Sequence, residues 1–451
     1  MKAIEQHYQN LIIGFGKGGK TLAAYLAKHG EKVALIEKSE KMYGGSCINI
    51  ACIPTKSLIV NAEKHVPYAI AHQKKDELTA FLRAKNFDNI DGLELATVIT
   101  GEASFVGPNQ VLVKQNDATE INILADRIFI NTGSLPFIPN IPGIEASNKV
   151  FTSTSLMEQA GLPEKLVVIG AGFIGLEFAM MYANFGAHVT LLNRGAEFLP
   201  KEDQDVADEI SKVITAKGIH LLNEVNIIGV EDIAEDQVQI SFKDKEGEVI
   251  QLESNAVLLA TGRKPNIEHL NLAAAGVELD DRGYIKVDEA LKTSQPHIWA
   301  IGDVNGGPQF TYISLDDFRI IKDQLFGGDY NSLSKRKQVA FSVFISPALA
   351  HIGLREKEAI EKGYQIKVAT LPVGAIPRAR LMEETKGLLK TVVDAKTNKI
   401  LGCTLFCVNS SEMINTVQIA MNAGLDFQTL RDTIYTHPSM TEALNDLYAL
   451  I

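Results

Sequence analysis

The chain has 451 residues, 46% of them hydrophobic, four cysteines and a formal net charge of −11. Such a length calls for two to four domains, the acidic balance argues against a nucleic-acid partner, and so few cysteines exclude a disulfide scaffold. No stretch approaches the ~20 apolar residues that span a bilayer, and MKAIEQHYQNLIIGFGKGG lacks a long apolar core or cleavage site, so the chain reads as cytoplasmic with no membrane partner.

The first predicted strand lies in YQNLIIG, followed by an amphipathic helix and a second strand ending at Glu37. Gly14, Gly16 and Gly19 fall in the intervening turn. In such a turn the first glycine permits the tight bend, the second lets backbone approach a pyrophosphate and the third lets helix pack on strand. The pyrophosphate then sits on the helix N-terminus. Glu37 suits ribose hydroxyls and repels a 2′-phosphate.

Next comes GGSCINIACIPTK, with Cys47 and Cys52 five positions apart. A static bridge, a pair of metal ligands and a redox pair are the three readings, and a reducing cytosol disfavours the first. Pro54 suits the first turn of a helix that SLIVNAEKHVPYAI continues, placing Cys52 at the positive helix end, where a thiolate is stabilised. Short strands follow over residues 97 to 130, then a glycine-bearing turn, INTGS.

The opening design returns in KLVVIGAGFIGLEFAMMYANFGAHVTLLNR, with Gly170, Gly172 and Gly175 and a strand ending at Asn193. Both copies put 23 residues between first glycine and strand end, as a βαβ unit requires. One such motif is weak; two matched copies imply two dinucleotides. Asn193 and Arg194 remove the repulsion found at Glu37 and offer a cation, so the second site accepts NADPH; a solvated turn residue is the alternative reading of Arg194.

LLATGRKPN forms a further turn, and in IWAIGDVNGGPQFTY a strand ends at Gly302 and Asp303, with Gly306, Gly307 and Pro308 before a helix. From about Lys337 the pattern becomes α+β: strands QVAFSVFI, QIKVATLPV, LLKTVVD and ILGCTLFCV, the helix SSEMINTVQIAMNAG, and a C-terminal helix. Four residues of strand hold the Cα atoms of Cys403 and Cys407 roughly 13 Å apart, too far for one tetrahedral zinc. They read as small buried residues, and no metal site is expected. In HPSMTEAL, Ser439 and Glu442 have capping-box spacing.

The expected fold is α/β, with two Rossmann-like dinucleotide-binding domains and a C-terminal α+β domain; the family resemblance described next implies that they serve FAD, NAD(P)H and dimerisation. The boundaries are 1–148 and 264–336 for the domain so assigned to FAD, 149–263 for that assigned to NAD(P)H and 337–451 for that assigned to dimerisation.

In motif order and spacing, over essentially its whole length, the chain resembles the FAD-dependent pyridine nucleotide-disulfide oxidoreductases of the dihydrolipoyl dehydrogenase and glutathione reductase type. GFGKGG with Glu37, GGSCINIACIPTK, GAGFIGLE, ATGRKPN, AIGDV and HPSMTE carry the likeness. The resemblance implies that Cys47 and Cys52 alternate between disulfide and dithiol, with Cys52 facing the flavin and Cys47 the substrate. It pairs Lys56 with Glu177 near the flavin and makes Phe173 a shield over the nicotinamide pocket. For FAD it implies Gly14, Gly16, Gly19, Glu37, Gly45, Ser46, Lys56, Thr132, Gly133, Gly302 and Asp303, with Asp303 on the ribityl chain. For NAD(P)H it implies Gly170, Gly172, Phe173, Ile174, Gly175, Asn193, Arg194 and Gly262. It further implies a homodimer in which His437, held by Glu442, exchanges protons with the partner's substrate-side sulfur.

GFGKGGKTLA, MYGGSCINIACIPTK, QFTYISLDDFRI, LPVGAIPRARLMEETKG and THPSMTEALNDLYAL resemble the bacterial reactive-chlorine-resistance flavoproteins, read as hypothiocyanous acid reductases. Ala51 departs from the glycine common there. The tail carries no cysteine pair and the N-terminus no metal-binding domain, unlike large thioredoxin reductases and mercuric reductases, and mercuric reductases usually have tyrosine at the position of His437. The expected substrate is a small oxidant, hypothiocyanous acid. The alternatives are copper(II) or mercury(II) reduction, dihydrolipoyl dehydrogenase activity, and a non-turnover redox sensor.

Overall fold

Four-residue runs of buried aliphatic side chains, such as Val33–Ile36, specify strands covered on both faces, the condition of a parallel sheet flanked by helices. The computed structural model describes residues 4–451; the first three, at the start of the stretch with no leader signature, lie outside the described residues. Its first sheet has seven strands. Six run in the order Ala96–Thr100, Val33–Glu37, Ile4–Ile13, Glu120–Ile130, Gln110–Lys114, Glu102–Gly107, and Ile298–Ala300 also pairs with Glu120–Ile130. The strands around Ile4–Ile13 are parallel, and Glu102–Gly107 and Gln110–Lys114 form an antiparallel edge.

A second sheet is five-stranded and parallel, in the order His220–Leu222, His188–Leu192, Lys165–Ile169, Ala256–Leu259, Val150–Thr152. An antiparallel meander, Asn226–Ala234, Gln237–Lys243 and Val249–Ser254, covers it through Val238, Ile240 and Phe242. The third sheet is antiparallel, in the order Phe341–Val343, Leu349–Gly353, Ile400–Phe406, Leu388–Asp394, Ile366–Pro372. Two Rossmann-like layers and an α+β unit are therefore present. No helix among the described residues is long and apolar enough to cross a membrane.

Four helices shape the site: α1 (Lys17–Lys28), α2 (Ser46–Asn49), α3 (Cys52–Glu63) and α4 (Tyr68–Asp91). The single helix expected through VPYAI is two. α3 stops at Glu63, His65 takes a left-handed φ of 54°, and α4 starts after Pro67. Proline lacks an amide donor and pushes its predecessor out of the helical region. The strand expected over QVAFSVFI contracts to Phe341–Val343. The one expected to reach Gly302 and Asp303 stops at Ala300, because Gly302 turns left-handed at φ 74° into a short 3-10 turn. Cys407 lies one residue beyond its strand, and both it and Cys403 are buried in the C-terminal core, Cys407 Sγ 3.8 Å from Met413 Sδ.

Candidate active site

The first glycine turn is built for close approach. Gly14 has φ 106°, and its Cα faces the Asn131 carbonyl so closely that no Cβ fits. Asn131, which no local motif singles out, locks this turn: its Oδ1 accepts from Gly19 N at 2.9 Å and its Nδ2 donates to Ile301 O at 2.8 Å. At the neighbouring strand end, Glu37 accepts from Phe15 N at 3.1 Å and Ser39 N at 3.3 Å. Burial pushes the Glu37 carboxyl up, against those backbone donors.

These residues open onto one cavity of about 1040 Å³. Glu37, Gly45, Ser46, Cys47, Cys52, Lys56, Thr132, Gly133, Phe173, Ile174, Glu177 and Asp303 line it, with Gly14 and Gly16. Gly19 and Gly302 do not line it. Gly170, Gly172, Asn193, Arg194 and Gly262 are outside it, in the loops of the second parallel sheet, as is Gly175, in the first turn of the helix Phe173–Phe185. There Gly170 repeats the close approach to a carbonyl, now that of Ala260, at φ 109°. The Asn193 amide is spent on its own loop and the next strand end, its Nδ2 lying 2.8–3.0 Å from Gly195 O, Glu197 O and Asn223 Oδ1, while Arg194 is exposed.

Deeper in the cavity, Ser134 Oγ donates to Asp303 Oδ2 at 2.7 Å, and Arg263 donates to Ser134 Oγ and O at 2.8 and 2.7 Å. Arg263 is a second residue that sequence reasoning missed, although it sits inside the quoted ATGRKPN. Burial pulls its guanidinium below the usual value, and the Asp303 charge opposes that. Thr132 Oγ1 is buried with no hydrogen-bond partner among the described residues. A flavin dinucleotide fits these features: a glycine cradle at a helix N-terminus, a ribose-facing carboxylate, and an unpaired hydroxyl in a cavity at the top of the range for bound cofactors.

Cys47 sits in α2 and Cys52 begins α3. Both are free thiols. Ala51 between them has φ −137°, so its methyl group causes no left-handed strain. The neighbouring Cys52 sulfur, with desolvation, pushes the Cys47 thiol up, while Cys47 in turn, with help from Thr311 and the Lys56 charge, lowers Cys52 to about 6. Thr311 Oγ1, at the start of the helix Thr311–Phe326, is 3.5 Å from Cys52 Sγ. The aligned amides of α3 favour the same thiolate.

Lys56, one turn along α3, meets Glu177 of the helix Phe173–Phe185 at 2.8 and 3.0 Å. Glu177 also accepts from Phe344 N at 2.8 Å, and Lys56 Nζ lies 4.7 Å from the Phe344 ring centre. The carboxylate therefore links the first, second and third domains at one point. Phe173 packs on Phe341, ring centres 5.3 Å apart.

His437 does not line the cavity, and its side chain is 72% exposed. Its Nδ1 is 2.8 Å from Glu442 Oε2, while Glu442 Oε1 accepts from Ser439 N at 3.0 Å and Glu442 N donates to Ser439 Oγ at 3.2 Å. Glu442 thus closes the capping turn and holds the imidazole at once. Slight burial raises its carboxyl, but the bonds from His437 and Ser439 prevail and hold it below its ordinary value.

Residues 8–317 match the family described as pyridine nucleotide-disulphide oxidoreductase, and residues 339–448 match its dimerisation domain. The chain is 47% identical to the probable pyridine nucleotide-disulfide oxidoreductase RclA of Escherichia coli over 444 residues, 98% of this chain and 99% of that one. It is 36% identical to a mercuric reductase of Bacillus cereus, covering 97% of this chain and 70% of the relative. It superposes with TM-score 0.95 on the Cu(II) complex of the HOCl-induced flavoprotein disulfide reductase RclA from E. coli, at 47% identity, covering 99% of this chain and 100% of that one. With the dithiol, the two glycine cradles and the dimerisation domain in place, the chain belongs to the pyridine nucleotide-disulphide oxidoreductases, as a flavoprotein disulfide reductase of the RclA type that uses FAD and NAD(P)H.

Proposed function

We propose that the protein is a hypothiocyanous acid reductase whose working group is the Cys47–Cys52 dithiol. The observation that carries this reading is the placement of the two sulfurs: Cys52 begins α3 with Thr311 Oγ1 3.5 Å from its Sγ and the Lys56–Glu177 pair one turn along, while Cys47 stands in α2 on the wall of the same cavity. A pair so divided assigns one sulfur to store charge and the other to meet substrate.

Gly14, Gly16, Gly19, Glu37, Thr132 and Asp303 hold the FAD, which when bound relays two electrons from NAD(P)H to the disulfide. The chain's own part begins with the dithiol. Cys47 thiolate attacks the sulfur of hypothiocyanous acid, an S–S bond forms, the S–O bond breaks and hydroxide leaves. Cys52 thiolate then attacks Cys47 Sγ, thiocyanate leaves and the disulfide returns. The sum is one NAD(P)H and one hypothiocyanous acid consumed for one NAD(P)+, one thiocyanate and one water. Lys56, held by Glu177, keeps a cation beside Cys52. His437 of a second subunit, oriented by Glu442, handles the proton of Cys47; its exposure and its place outside its own cavity support that assignment. Arg194 is the group available to a 2′-phosphate, since the Asn193 amide is committed elsewhere.

Reduction of copper(II) is the second reading, favoured by the Cu(II) complex of the E. coli relative. No cluster of three or more His, Cys, Asp or Glu among the described residues is placed to hold a metal, so such an ion would come to the thiols as substrate. Parallel assays of NAD(P)H oxidation with hypothiocyanous acid, copper(II), lipoamide and oxidised glutathione separate the readings. Highest kcat/KM with hypothiocyanous acid is expected; a higher value with any other acceptor replaces it.

A further inference from the structure

Cys47 stands on α2, a helix of a single turn, Ser46–Asn49. So short a helix does not hold itself, because nucleation is unfavourable and few bonds repay it. The contacts around it therefore set where the sulfur sits. They come from one face of α4, where Arg83, Asn86 and Phe87 have the spacing i, i+3 and i+4. The Phe87 ring stacks on Tyr43, centres 4.7 Å apart. Asn86 Oδ1 accepts from Lys20 Nζ at 2.5 Å, and the same ammonium donates to Gly44 O at 3.2 Å. Arg83 Nε donates to Asn49 Oδ1 at 2.8 Å.

Asn49 is the junction of these contacts. Its Nδ2 donates to Tyr43 O and Gly45 O, both at 2.9 Å, so the last residue of α2 folds back onto the chain that enters it. Two carbonyls take the two amide hydrogens, and Arg83 supplies the donor for the amide oxygen. Turned end for end, the amide would set its oxygen against both carbonyls and its hydrogens against the guanidinium. Arg83 thus fixes which way the amide faces. It lines a separate polar cavity of about 100 Å³ behind α2, not the one that holds the sulfurs, so it does not touch the reacting atoms.

We propose that Arg83 is a positioning residue for Cys47: acting through Asn49, it keeps α2 wound, so that the Cys47 sulfur stays in line for Cys52 when the adduct with the oxidant is resolved. This rests on the reading of Cys47 as the sulfur that meets the oxidant. In the resolving step Cys52 thiolate attacks Cys47 Sγ, the disulfide forms, the bond from Cys47 to the thiocyanate group breaks and thiocyanate leaves. That attack must run along the breaking bond, and an offset on the order of 1 Å costs up to about a hundredfold in such a step. Passage of electrons from NADPH through the flavin to an outside acceptor involves neither sulfur and does not depend on α2.

The test uses the flavin-loaded full chain, reduced with one equivalent of NADPH and mixed with hypothiocyanous acid in a single turnover. Release of thiocyanate, which follows the resolving attack, is timed. NADPH-driven reduction of ferricyanide, which takes electrons from the flavin, is the parallel readout. Arg83→Met keeps the apolar stem and removes the donors; Arg83→Lys keeps a charged donor. Arg83→Met should slow thiocyanate release about tenfold, the worth of one charge-assisted hydrogen bond, and leave ferricyanide reduction unchanged. Arg83→Lys should recover most of the loss. Asn49→Ala should lose as much alone as in combination with Arg83→Met, because Arg83 acts through it. Parent-like release in Arg83→Met overturns the proposal and leaves the role of Cys47 standing. A parallel fall with ferricyanide, or loss of flavin binding, also overturns it by showing a role in the fold at large, and so do additive losses in the double variant. Hypothiocyanous acid consumed by Cys47→Ser at the parent rate overturns the reading beneath the proposal, and the proposal with it.

Discussion

At the scale of single residues, charge placement divides the labour between the two sulfurs. If Cys52 stores the charge, Cys47→Ser leaves a thiolate beside the oxidised flavin and gives a long-wavelength absorption band, whereas Cys52→Ser gives none. The band should fade with acid as the Cys52 thiolate takes up its proton, at a pH below that of an ordinary thiol because Thr311 and the Lys56 charge still favour the thiolate. A spectrophotometric titration of both variants checks the assignment. Thr311→Val, which removes one of the groups that lower Cys52, should move that midpoint upward. On the nicotinamide side, Arg194→Glu should raise KM for NADPH roughly tenfold, the cost of one charge-assisted contact of about 1.5 kcal/mol, and leave KM for NADH nearly unchanged. Equal changes for both nucleotides would show that Arg194 does not read the 2′-phosphate. These assignments differ in how plainly the sequence announced them. Cys47, Cys52 and Lys56 fall within one short motif, so local spacing exposes them. Thr311 and Arg263 matter because the fold carries them from distant segments, Thr311 to Cys52 Sγ and Arg263 to Ser134, and nothing in their immediate neighbours marks that.

At the scale of elements, the two βαβ units were legible because glycine spacing and apolar runs are local signals. What ties them together was not. Asn131 looks like an ordinary turn residue in INTGS, yet its side chain joins the end of Glu120–Ile130, the first turn of α1 and the backbone at Ile301. Asn131→Ala leaves the buried Gly19 amide without its acceptor, a cost of about 2–4 kcal/mol for the lost bonds and the stranded donor. Differential scanning fluorimetry should show a lower melting temperature and earlier flavin release than in the parent; an unchanged melt would show that the turn holds its shape without the amide. The break between α3 and α4 at His65–Pro67 escaped the sequence reading for a different reason. An apolar period runs through it, and only the backbone consequence of Pro67 interrupts the helix.

At the scale of the whole molecule, catalysis needs the three domains in fixed register. Lys390 of the third sheet, almost fully buried, is gripped by Asp203 at 3.2 Å and by Asp205 and Glu356 at 2.9 Å, and Arg355 forks onto Glu202 beside it. This knot joins the nucleotide-binding unit to the C-terminal unit. Lys390→Met strands its carboxylates at the junction, and breaking such a group costs about 3–5 kcal/mol. Thermal unfolding should start earlier, with the dithiol spectrum intact. The dimer has its own test. If His437 serves the partner's Cys47, inactive His437→Ala and Cys47→Ser subunits co-expressed at random should recover up to about a quarter of wild-type turnover, because half the dimers are mixed and each holds one whole site in a two-fold assembly. No recovery would show that His437 does not serve the partner's Cys47. The dithiol claim itself is tested most directly by thiol counting in a single turnover. Protein reduced anaerobically with one equivalent of NADPH is mixed with hypothiocyanous acid, and free thiols and thiocyanate are measured. The account predicts two thiols lost and one thiocyanate released per oxidant consumed; oxidant consumed with the Cys47 and Cys52 thiols intact would contradict it.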